Sequence, residues 1–226
     1  PYLLRRGEWD YFIINLILKI LKKKKLKYSF IDIGANIGLV TRQLCSKRPE
    51  IIRDFYCIEP EKINYDLLCE NLKLTKGNKI YKFNCALTNK KSGKKKIYLN
   101  QSNFGDFSLN KNENKNFSFV NTVNANMFLK KIISKYKINN IIYKSDTQGS
   151  DEMILLNIDQ KIINKIKIMI IEVSNFSYLN KNSIKFINLI KKFNIMEDEN
   201  GRKITEDQIN RKIKEKIEFN LLLAKT

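Results

Sequence analysis

The amino-acid sequence predicts one doubly wound α/β domain, in which helices cover both faces of a mostly parallel sheet. Short apolar runs alternate with segments of helical spacing from residue 28 to about residue 192, and that order favours parallel strands joined by crossover helices. The chain has 226 residues, of which 43% are hydrophobic, and this suffices for a single full core. Three prolines and eight glycines leave little room for a linker, so we expect one compact unit.

The first half of the chain predicts three strands and two helices. Apolar runs predict buried strands at 28–33, 54–59 and 79–84. In the intervening segments, apolar residues recur at helical spacing and predict helices at 38–47 and 61–74. Ligands of such sheets bind beyond the carboxyl ends of the strands, at the point where the strand order reverses. The residues that follow these strands are therefore the first candidates for a site.

The second half repeats the alternation less regularly. Strands are predicted at 96–99, 117–123, 141–146, 166–173 and 218–224. Helices are predicted at 125–137, 151–157 and 182–192. The asparagine-rich loop Asn100–Asn116 interrupts the pattern, and a loop of that length in a compact domain is usually functional or mobile.

Residues 1–27 are predicted to form an N-terminal helical extension ahead of the compact domain at 28–226. The segment Tyr11–Leu21 is apolar, but it is too short to span a bilayer and contains Lys19. Its lysine run, Lys22–Lys25, follows the apolar part, whereas a signal peptide carries its charges first. We therefore expect an amphipathic helix that covers the domain, and no transmembrane segment.

The charge balance leaves two interpretations open. Lys and Arg number 43 against 23 Asp and Glu, which gives a net charge of +20. Such a balance is typical of proteins that bind nucleic acid, an anionic membrane or an acidic glycan. It is equally typical of a protein from an A/T-rich genome, because Lys, Asn and Ile recur throughout the chain. Nucleic acid is thus a possible partner on charge, but not the favoured one.

Histidine and cysteine usage excludes several kinds of site. The chain has no histidine, so His-based catalytic triads, His-ligated zinc and His general bases are ruled out. The four cysteines occur without a CxxC pair, each in or beside an apolar stretch, at Cys45, Cys57, Cys69 and Cys85. We expect buried reduced thiols in a cytoplasmic protein, with no metal site and no disulfide framework.

The turn after the first predicted strand reads DIGANIG, from Asp32 to Gly38. Gly34 lets the backbone turn sharply, and Gly38 lets the following helix pack close to the sheet. Asn36 stands where a dinucleotide site needs a second glycine for close approach to pyrophosphate. An acidic residue before the turn repels phosphate and suits a cationic ligand. S-adenosylmethionine carries a sulfonium and an ammonium group and no phosphate, so Asp32 would hold its methionyl end, directly or through water.

A carboxylate ends the second predicted strand. Glu59 follows Gly34 by 25 residues, a position from which an acidic side chain accepts hydrogen bonds from both ribose hydroxyls in nucleoside-binding α/β folds. A solvated carboxylate before Pro60 is the alternative interpretation. Because Glu59 occurs together with the Gly34 turn, we favour a ribose-binding role over a solvated carboxylate.

Several stretches of the sequence resemble the FkbM family of methyltransferases. They are FIDIGANIGLVTRQL, YCIEPEKINYDLLCENL, the step Asn84–Leu87, IIYKSDTQGSDEMIL and IMIIEVS. Together they run from about residue 28 to residue 175. The resemblance implies a Rossmann-like methyltransferase sheet with a final antiparallel strand, S-adenosylmethionine as cofactor, and O-methylation of a sugar, lipid or secondary metabolite. A small-molecule or glycan acceptor is accordingly the leading expectation.

The resemblance also implies roles for individual residues. The methionyl side of the cofactor would be lined by Asp32, Gly34, Asn36 and Gly38. Glu59 would bind the ribose, and Ala86 would lie by the adenine. Where the family typically shows a Lys-x-Asp-x-x-Gly-x-Glu core, this chain has Ser145 in place of an apolar residue, Gln148 in place of Glu and Asp151 in place of Glu. Gln148 weakens the case for a dense carboxylate metal site.

Methyl transfer to an alcohol requires removal of the hydroxyl proton. With no histidine present, Asp146 is the predicted base or orienting group, supported by Lys144 or Glu172. The alternative for Asp146 is a helix cap, and the alternative for Lys144 is a strand residue whose side chain leaves the sheet. Two other functions stay open, an RNA 2′-O-methyltransferase and a non-catalytic module that binds anionic surfaces.

Overall fold

The computed structural model describes residues 11–21, 26–47, 50–73, 75, 77–99, 107–109 and 116–225. Its strands are β1 Tyr28–Ile33, β2 Ile52–Ile58, β3 Lys79–Phe83, β4 Ala86–Thr88, β5 Gly93–Tyr98, β6 Phe117–Asn124, β7 Ile141–Ser145, β8 Ile166–Val173, β9 Ile195–Asp198 and β10 Phe219–Ala224. Its helices are α1 Tyr11–Leu21, α2 Leu39–Lys47, α3 Lys62–Asn71, α4 Ala125–Tyr136, α5 Asp151–Leu155, α6 Gln160–Lys165, α7 Phe176–Ile190 and α8 Glu206–Glu215. Most of the predicted loop 100–116 and the lysine run 22–25 lie outside the described residues.

The main sheet has seven strands in the order β3-β2-β1-β7-β8-β10-β9. Parallel pairing joins β1 to β2 and β7, β2 to β3, and β7 to β8. β10 is antiparallel to both of its neighbours. The predicted fold class is confirmed, including the final antiparallel strand. The strand order reverses beside β1, so a ligand crevice is expected beyond the carboxyl ends of β1 and β7.

The central strands β1, β7 and β8 are buried on both faces, which explains why apolar residues predominate in them. Successive residues of β1 point to opposite sides, and accordingly Phe30 and Ile31 belong to different core clusters. The cluster around Phe30 includes Ile14 and Ile17 of α1. The cluster around Ile31 includes Leu129 of α4. Helices therefore cover both faces, as predicted.

The N-terminal helix α1 is amphipathic, with Ile14, Ile17 and Leu21 fully buried. At its last turn, Lys19 Nζ lies 3.0 Å from Glu197 Oε1. No helix in the described part of the chain combines the length and the apolar character needed to cross a bilayer. The four cysteines are free thiols, and all but Cys69 are buried.

Besides helix α6, Gln160–Lys165, for which the sequence predicts no helix, three regions of the fold differ from the sequence prediction. A second, three-stranded sheet has the order β4-β6-β5, and its strand β4 was missed because three residues are too few to show a period. Helix α7 begins at Phe176 and not at 182, because the side chain of Asn175 caps it by accepting from the Tyr178 amide. The third region, between residues 192 and 218, contains β9 and α8. Helix α8 carries a capping box, in which Thr205 and Gln208 bond each other's backbone amides.

Candidate active site

A cavity of about 920 Å³ opens at the carboxyl ends of β1, β2 and β7. This is the switch point of the sheet, where doubly wound folds bind their ligands. Of the predicted site residues, those that line the cavity are Gly34, Asn36, Glu59, Ala86, Lys144 and Asp146. Asp32, Gly38 and Glu172 are not among its lining residues. The structure thus brings six of the nine together on one surface.

The turn after β1 holds its shape through close backbone contact with the segment after β7. Gly34 has a φ of +75°, and a Cβ added to it would lie 1.7 Å from the carbonyl oxygen of Asp146. Asp146 in turn donates its amide to the carbonyl of Ile33, at 3.0 Å. Asn36 also has a positive φ, of 50°, which asparagine tolerates better than most residues. The predicted sharp turn at Gly34 is present, and it requires glycine for space as well as for φ.

Glu59 is buried at the end of β2, and its carboxylate is fixed by two backbone amides. Oε2 accepts from the amide of Asn36 and Oε1 accepts from the amide of Glu61, each at 2.9 Å. Asn84 fixes the backbone at this position, because its side-chain amide donates to the carbonyls of Glu59 and Pro60 at 3.0 Å. Burial raises the pKa of Glu59 to about 7 against the lowering effect of these amides. Since an ionised carboxylate has about four acceptor positions, it retains two for ligand hydroxyls.

Asp32 and Lys144 form a buried ion pair, of which Lys144 lines the cavity and Asp32 does not. They are register partners on β1 and β7, and Lys144 Nζ lies 3.2 Å from Asp32 Oδ1. The other oxygen of Asp32 accepts from the Thr41 hydroxyl at 2.9 Å. Lys144 Nζ also donates to the carbonyl of Gly34 at 3.3 Å. The side chain of Lys144 thus stays against the β1 strand and the turn after it and does not extend into solvent. Asp32 contributes to the cavity only by fixing the position of Lys144.

We expect Lys144→Met to lower the free energy of unfolding by about 3 kcal/mol, because it leaves the charge of Asp32 buried without its partner. The double variant Asp32→Asn with Lys144→Met should recover more than half of that loss. Denaturant melts of the four members of this cycle give the coupling between the two residues. Lys131→Met, on an exposed position of α4, is the matched control and should stay within about 0.5 kcal/mol of wild type. Equal losses from Lys144→Met and Lys131→Met would contradict the ion pair.

Asp146 is the most accessible carboxylate of the predicted catalytic group, with 37% of its side chain exposed. Its Oδ1 accepts from the side-chain amide of Gln148 at 3.0 Å, and Oδ2 lies 3.9 Å from Lys144 Nζ. The same Gln148 amide lies 3.4 Å from Glu172 Oε1. Burial, followed by the charge of Asp146, raises the pKa of Glu172 to about 9. A pKa raised in this way favours the protonated form of Glu172 at neutral pH.

The alternative role of Asp146 as a helix cap is not what the structure shows. Helix α5 begins after Ser150, and the turn before it is organised by Asp151. This buried carboxylate accepts from the Ser145 hydroxyl at 2.5 Å and from the Thr147 amide at 3.0 Å. Burial raises the pKa of Asp151 to about 7. Asp151 stands at the last position of the Lys-x-Asp-x-x-Gly-x-Glu pattern, and here it holds the loop that carries Asp146.

The far end of the cavity is apolar and suits an adenine ring. Ala86 lies there between Cys85 and Leu87, and Ile97 of β5 closes the wall from the small sheet. These side chains are buried. The predicted position of Ala86 on the cavity wall agrees with the geometry, and its contact with adenine stays a proposal.

Sequence reasoning missed two residues that shape the site, Thr41 and Glu152, and it assigned no contact there to Asn84 or Gln148. Glu152 is fully buried, and it accepts from the amides of Ser174 and Asn175 at 2.7 and 3.0 Å. It thereby joins α5 to the end of β8. Two acidic residues at the start of a helix were the available signal, but that pattern is typical of exposed helix ends as well. Among the described residues, no group of three or more His, Cys, Asp or Glu side chains could hold a metal ion.

Comparisons with known proteins place the chain among methyltransferases. The family model described as methyltransferase FkbM domain matches residues 32–199. The crystal structure of methyltransferase FkbM from Methylobacillus flagellatus aligns with a TM-score of 0.50 and 15% identity, over 87% of this chain and 43% of that one. The chain therefore spans less than half the length of that protein. No curated protein matches the sequence.

Two further solved structures align over most of their length with lower scores. Precorrin-6y C5,15-methyltransferase from Geobacter metallireducens has a TM-score of 0.47 and 11% identity, over 95% of this chain and 88% of that one. An S-adenosylmethionine-dependent methyltransferase from Archaeoglobus fulgidus has a TM-score of 0.43 and 14% identity, over 99% and 98%. At such identities the likeness concerns the fold alone.

Proposed function

The chain belongs to the FkbM methyltransferase family, and from that premise we propose that it is an S-adenosylmethionine-dependent O-methyltransferase. Its acceptor would be a hydroxyl group of a glycan or another polyhydroxylated molecule. One observation carries the proposal: the buried carboxylate of Glu59 and the carboxylate of Asp146 line the same cavity. Such a cavity can accommodate a nucleoside at one end and a reacting centre at the other. The free thiols of the four cysteines are consistent with a reducing, cytoplasmic location.

The residues present fit the cofactor. Glu59 keeps acceptor positions for the two ribose hydroxyls, and the apolar wall at Ala86 suits adenine. Gly34 and Asn36 would line the methionyl portion directly. Asp32 and Gly38 would act without touching the cofactor. Asp32 would fix Lys144 through their ion pair. Gly38 would let α2 approach Leu68 and Leu72, whose side chains would lie 3.3 Å from an added Cβ. When bound, the cofactor supplies the methyl group.

Calorimetric titration with S-adenosylmethionine, of wild type and of Glu59→Gln, tests the cofactor assignment. The ionised form of Glu59 accepts the ribose hydroxyls, and its pKa is raised to about 7. Wild-type affinity should therefore fall as the pH drops through 7, by about 30-fold between pH 8 and pH 5.5. Glu59→Gln should bind at least about tenfold more weakly at pH 8, and its affinity should vary less with pH.

Three outcomes of that titration would count against the proposal. An unchanged pH dependence in Glu59→Gln would show that another group titrates. Full affinity in the variant would remove Glu59 from the ribose. No binding by folded wild-type protein would overturn the methyl-transfer function and favour a module that binds anionic surfaces.

The acceptor hydroxyl would bind on the Asp146 side of the cavity. Asp146 would accept the hydroxyl proton as the oxygen attacks, and Gln148 would hold the carboxylate in position through its 3.0 Å hydrogen bond. Positioning of this kind can supply much of the acceleration of an in-line displacement. Glu172 would stay protonated at neutral pH, and so it would add no second negative charge beside Asp146.

A second candidate function is 2′-O-methylation of RNA, favoured by the distribution of charge. Residues 71–143 contain fifteen lysines and two acidic residues, Asp106 and Glu113. They carry thirteen of the twenty net positive charges of the chain. A uniform genome bias would spread the excess over the whole sequence, whereas here about a third of the chain holds most of it.

A further inference from the structure

The small sheet β4-β6-β5 has two faces of different character. Its inner face contributes Ile97 and Val120 to a buried cluster with Ala86, and so forms part of the cavity wall. Because successive residues of a strand point to opposite sides, the intervening residues of β5 and β6 form a second surface, which we call the outer face. It consists of Lys94, Lys96, Tyr98, Phe117, Phe119 and Asn121.

Two phenylalanines stand exposed on the outer face. Phe117 is 43% exposed and Phe119 is 66% exposed. Their ring centroids lie 5.7 Å apart with the ring planes at 86°, and Tyr98 lies 6.5 Å from Phe117. Lysines on a sheet edge alone are explained by protection against strand pairing. Exposed phenyl rings do not protect a sheet edge, because apolar side chains there favour association. They therefore indicate a surface that a ligand covers.

Positive charge surrounds these rings. Lys96 Nζ lies 3.8 Å from the ring centroid of Phe117 and 6.0 Å from that of Phe119. Lys94 precedes it on the same face, and Lys90 and Lys91 lie in the turn before β5. No carboxylate within the described parts of the chain forms an ion pair with any of these four lysines. The outer face therefore carries an excess of positive charge.

One end of the outer face adjoins the cavity. Tyr98 pairs with Ser108 through two backbone hydrogen bonds, at 2.8 and 3.2 Å. The Ser108 hydroxyl donates to the carbonyl of Gln148 at 2.6 Å, and Gln148 holds Asp146. A ligand that extends along β5 from Lys94 past Tyr98 would cross about 14 Å of strand before it reaches the cavity mouth.

We propose that the outer face binds single-stranded nucleic acid, with bases stacked on Phe117 and Phe119 and phosphates beside Lys94 and Lys96. Aromatic platforms flanked by cations bind single strands in this way, with successive bases stacked on the rings. A glycan would require several directional hydrogen-bonding side chains, whereas Asn121 is the only amide among the six residues of the outer face. The inference deepens the second candidate function by naming where the acceptor strand lies. Its test does not depend on methyl transfer.

Fluorescence anisotropy with a labelled 12-nucleotide single-stranded RNA tests the proposal, without cofactor and over a range of salt concentrations. We expect Phe119→Ala to weaken binding about tenfold. The double variant Lys94→Gln with Lys96→Gln should make the slope of log affinity against log salt less steep by about 1.4, because single strands lose about 0.7 per phosphate contact. The matched control is the double variant Ile184→Ala with Lys185→Gln, which removes an exposed apolar side chain and an exposed lysine of α7. This control variant should bind the RNA with the affinity of the wild-type protein.

Other results would overturn the proposal. An affinity loss in the α7 control equal to that in Phe119→Ala would mean that charge alone binds RNA. In a second contrary result, Phe119→Ala binds RNA as tightly as wild type does but binds anionic vesicles or a heparin oligosaccharide more weakly. That result would assign the outer face to a membrane or a glycan. Circular dichroism melts of each variant establish that the fold is retained. If Phe119→Ala is unstable, Phe119→Leu should show the same loss, because leucine keeps the apolar volume without the aromatic face.

Discussion

Gly34→Ala should lower the free energy of unfolding by about 4 kcal/mol or more, and should disrupt the candidate cofactor site with it. Two costs combine at this position. A left-handed φ costs an alanine about 1–2 kcal/mol, and the added Cβ would lie 1.7 Å from the carbonyl oxygen of Asp146. The carbonyl belongs to the backbone, so relief requires separation of the turn after β1 from the segment after β7. Overpacking of that kind typically costs a further 1–3 kcal/mol, occasionally more.

Gly77→Ala separates the two costs. Gly77 also has a positive φ, of +91°, but a Cβ added there meets nothing within 4 Å. We expect it to cost only about 1–2 kcal/mol. Urea denaturation of both variants gives the comparison. Equal losses at positions 34 and 77 would show that backbone strain alone acts at Gly34 and that the close approach of Asp146 is unimportant.

Asp146→Asn should reduce turnover by about 1,000-fold and leave affinity for S-adenosylmethionine nearly unchanged. General-base catalysis by one positioned group typically contributes 10²–10⁴, and the amide has the same shape without the ability to accept a proton. The carboxylate oxygens face Gln148 and Lys144, so the cofactor end at Glu59 should remain intact. Single-turnover assays with an active acceptor, together with calorimetry, separate the two effects.

Asp207→Asn provides the control for this prediction, because it makes the same chemical change at an exposed position in the first turn of α8. It should keep full turnover. If Asp146→Asn also keeps full turnover, proton removal does not depend on this carboxylate. Loss of cofactor affinity together with turnover would instead make Asp146 a binding residue.

The main sheet could be predicted from the sequence because its strands are buried on both faces. Apolar residues predominate in β1, β7 and β8, and each strand carries a polar or charged residue at or next to its carboxyl end. The same ends supplied the candidate residues Asp146 and Glu172. The Gly34 turn was recognisable because both a positive φ and close approach demand glycine there.

The remaining features depend on contacts between distant segments. Asp32 and Lys144 look like separate polar residues in two apolar strands, and only the register between β1 and β7 makes them neighbours. Glu172 was predicted to assist catalysis, but its protonated state follows from burial beside Asp146 and Asp151. The outer face of the small sheet could not be foreseen either, because it depends on the pairing of Lys96 with Phe119 across two strands.

The register between β1 and β7 also sets the order in which the site can be completed during synthesis. The corner at Glu59 involves contacts with the turn after β1, with Glu61 and with Asn84 after β3, so it can form once the chain as far as Asn84 has left the ribosome. The hydrogen bond from Lys144 to Gly34 spans 110 residues. At about 5–20 residues per second, the second half of the site becomes available several seconds later. During that interval β1 is an edge strand of the incomplete sheet, because its pairing with β7 requires residues 141–145.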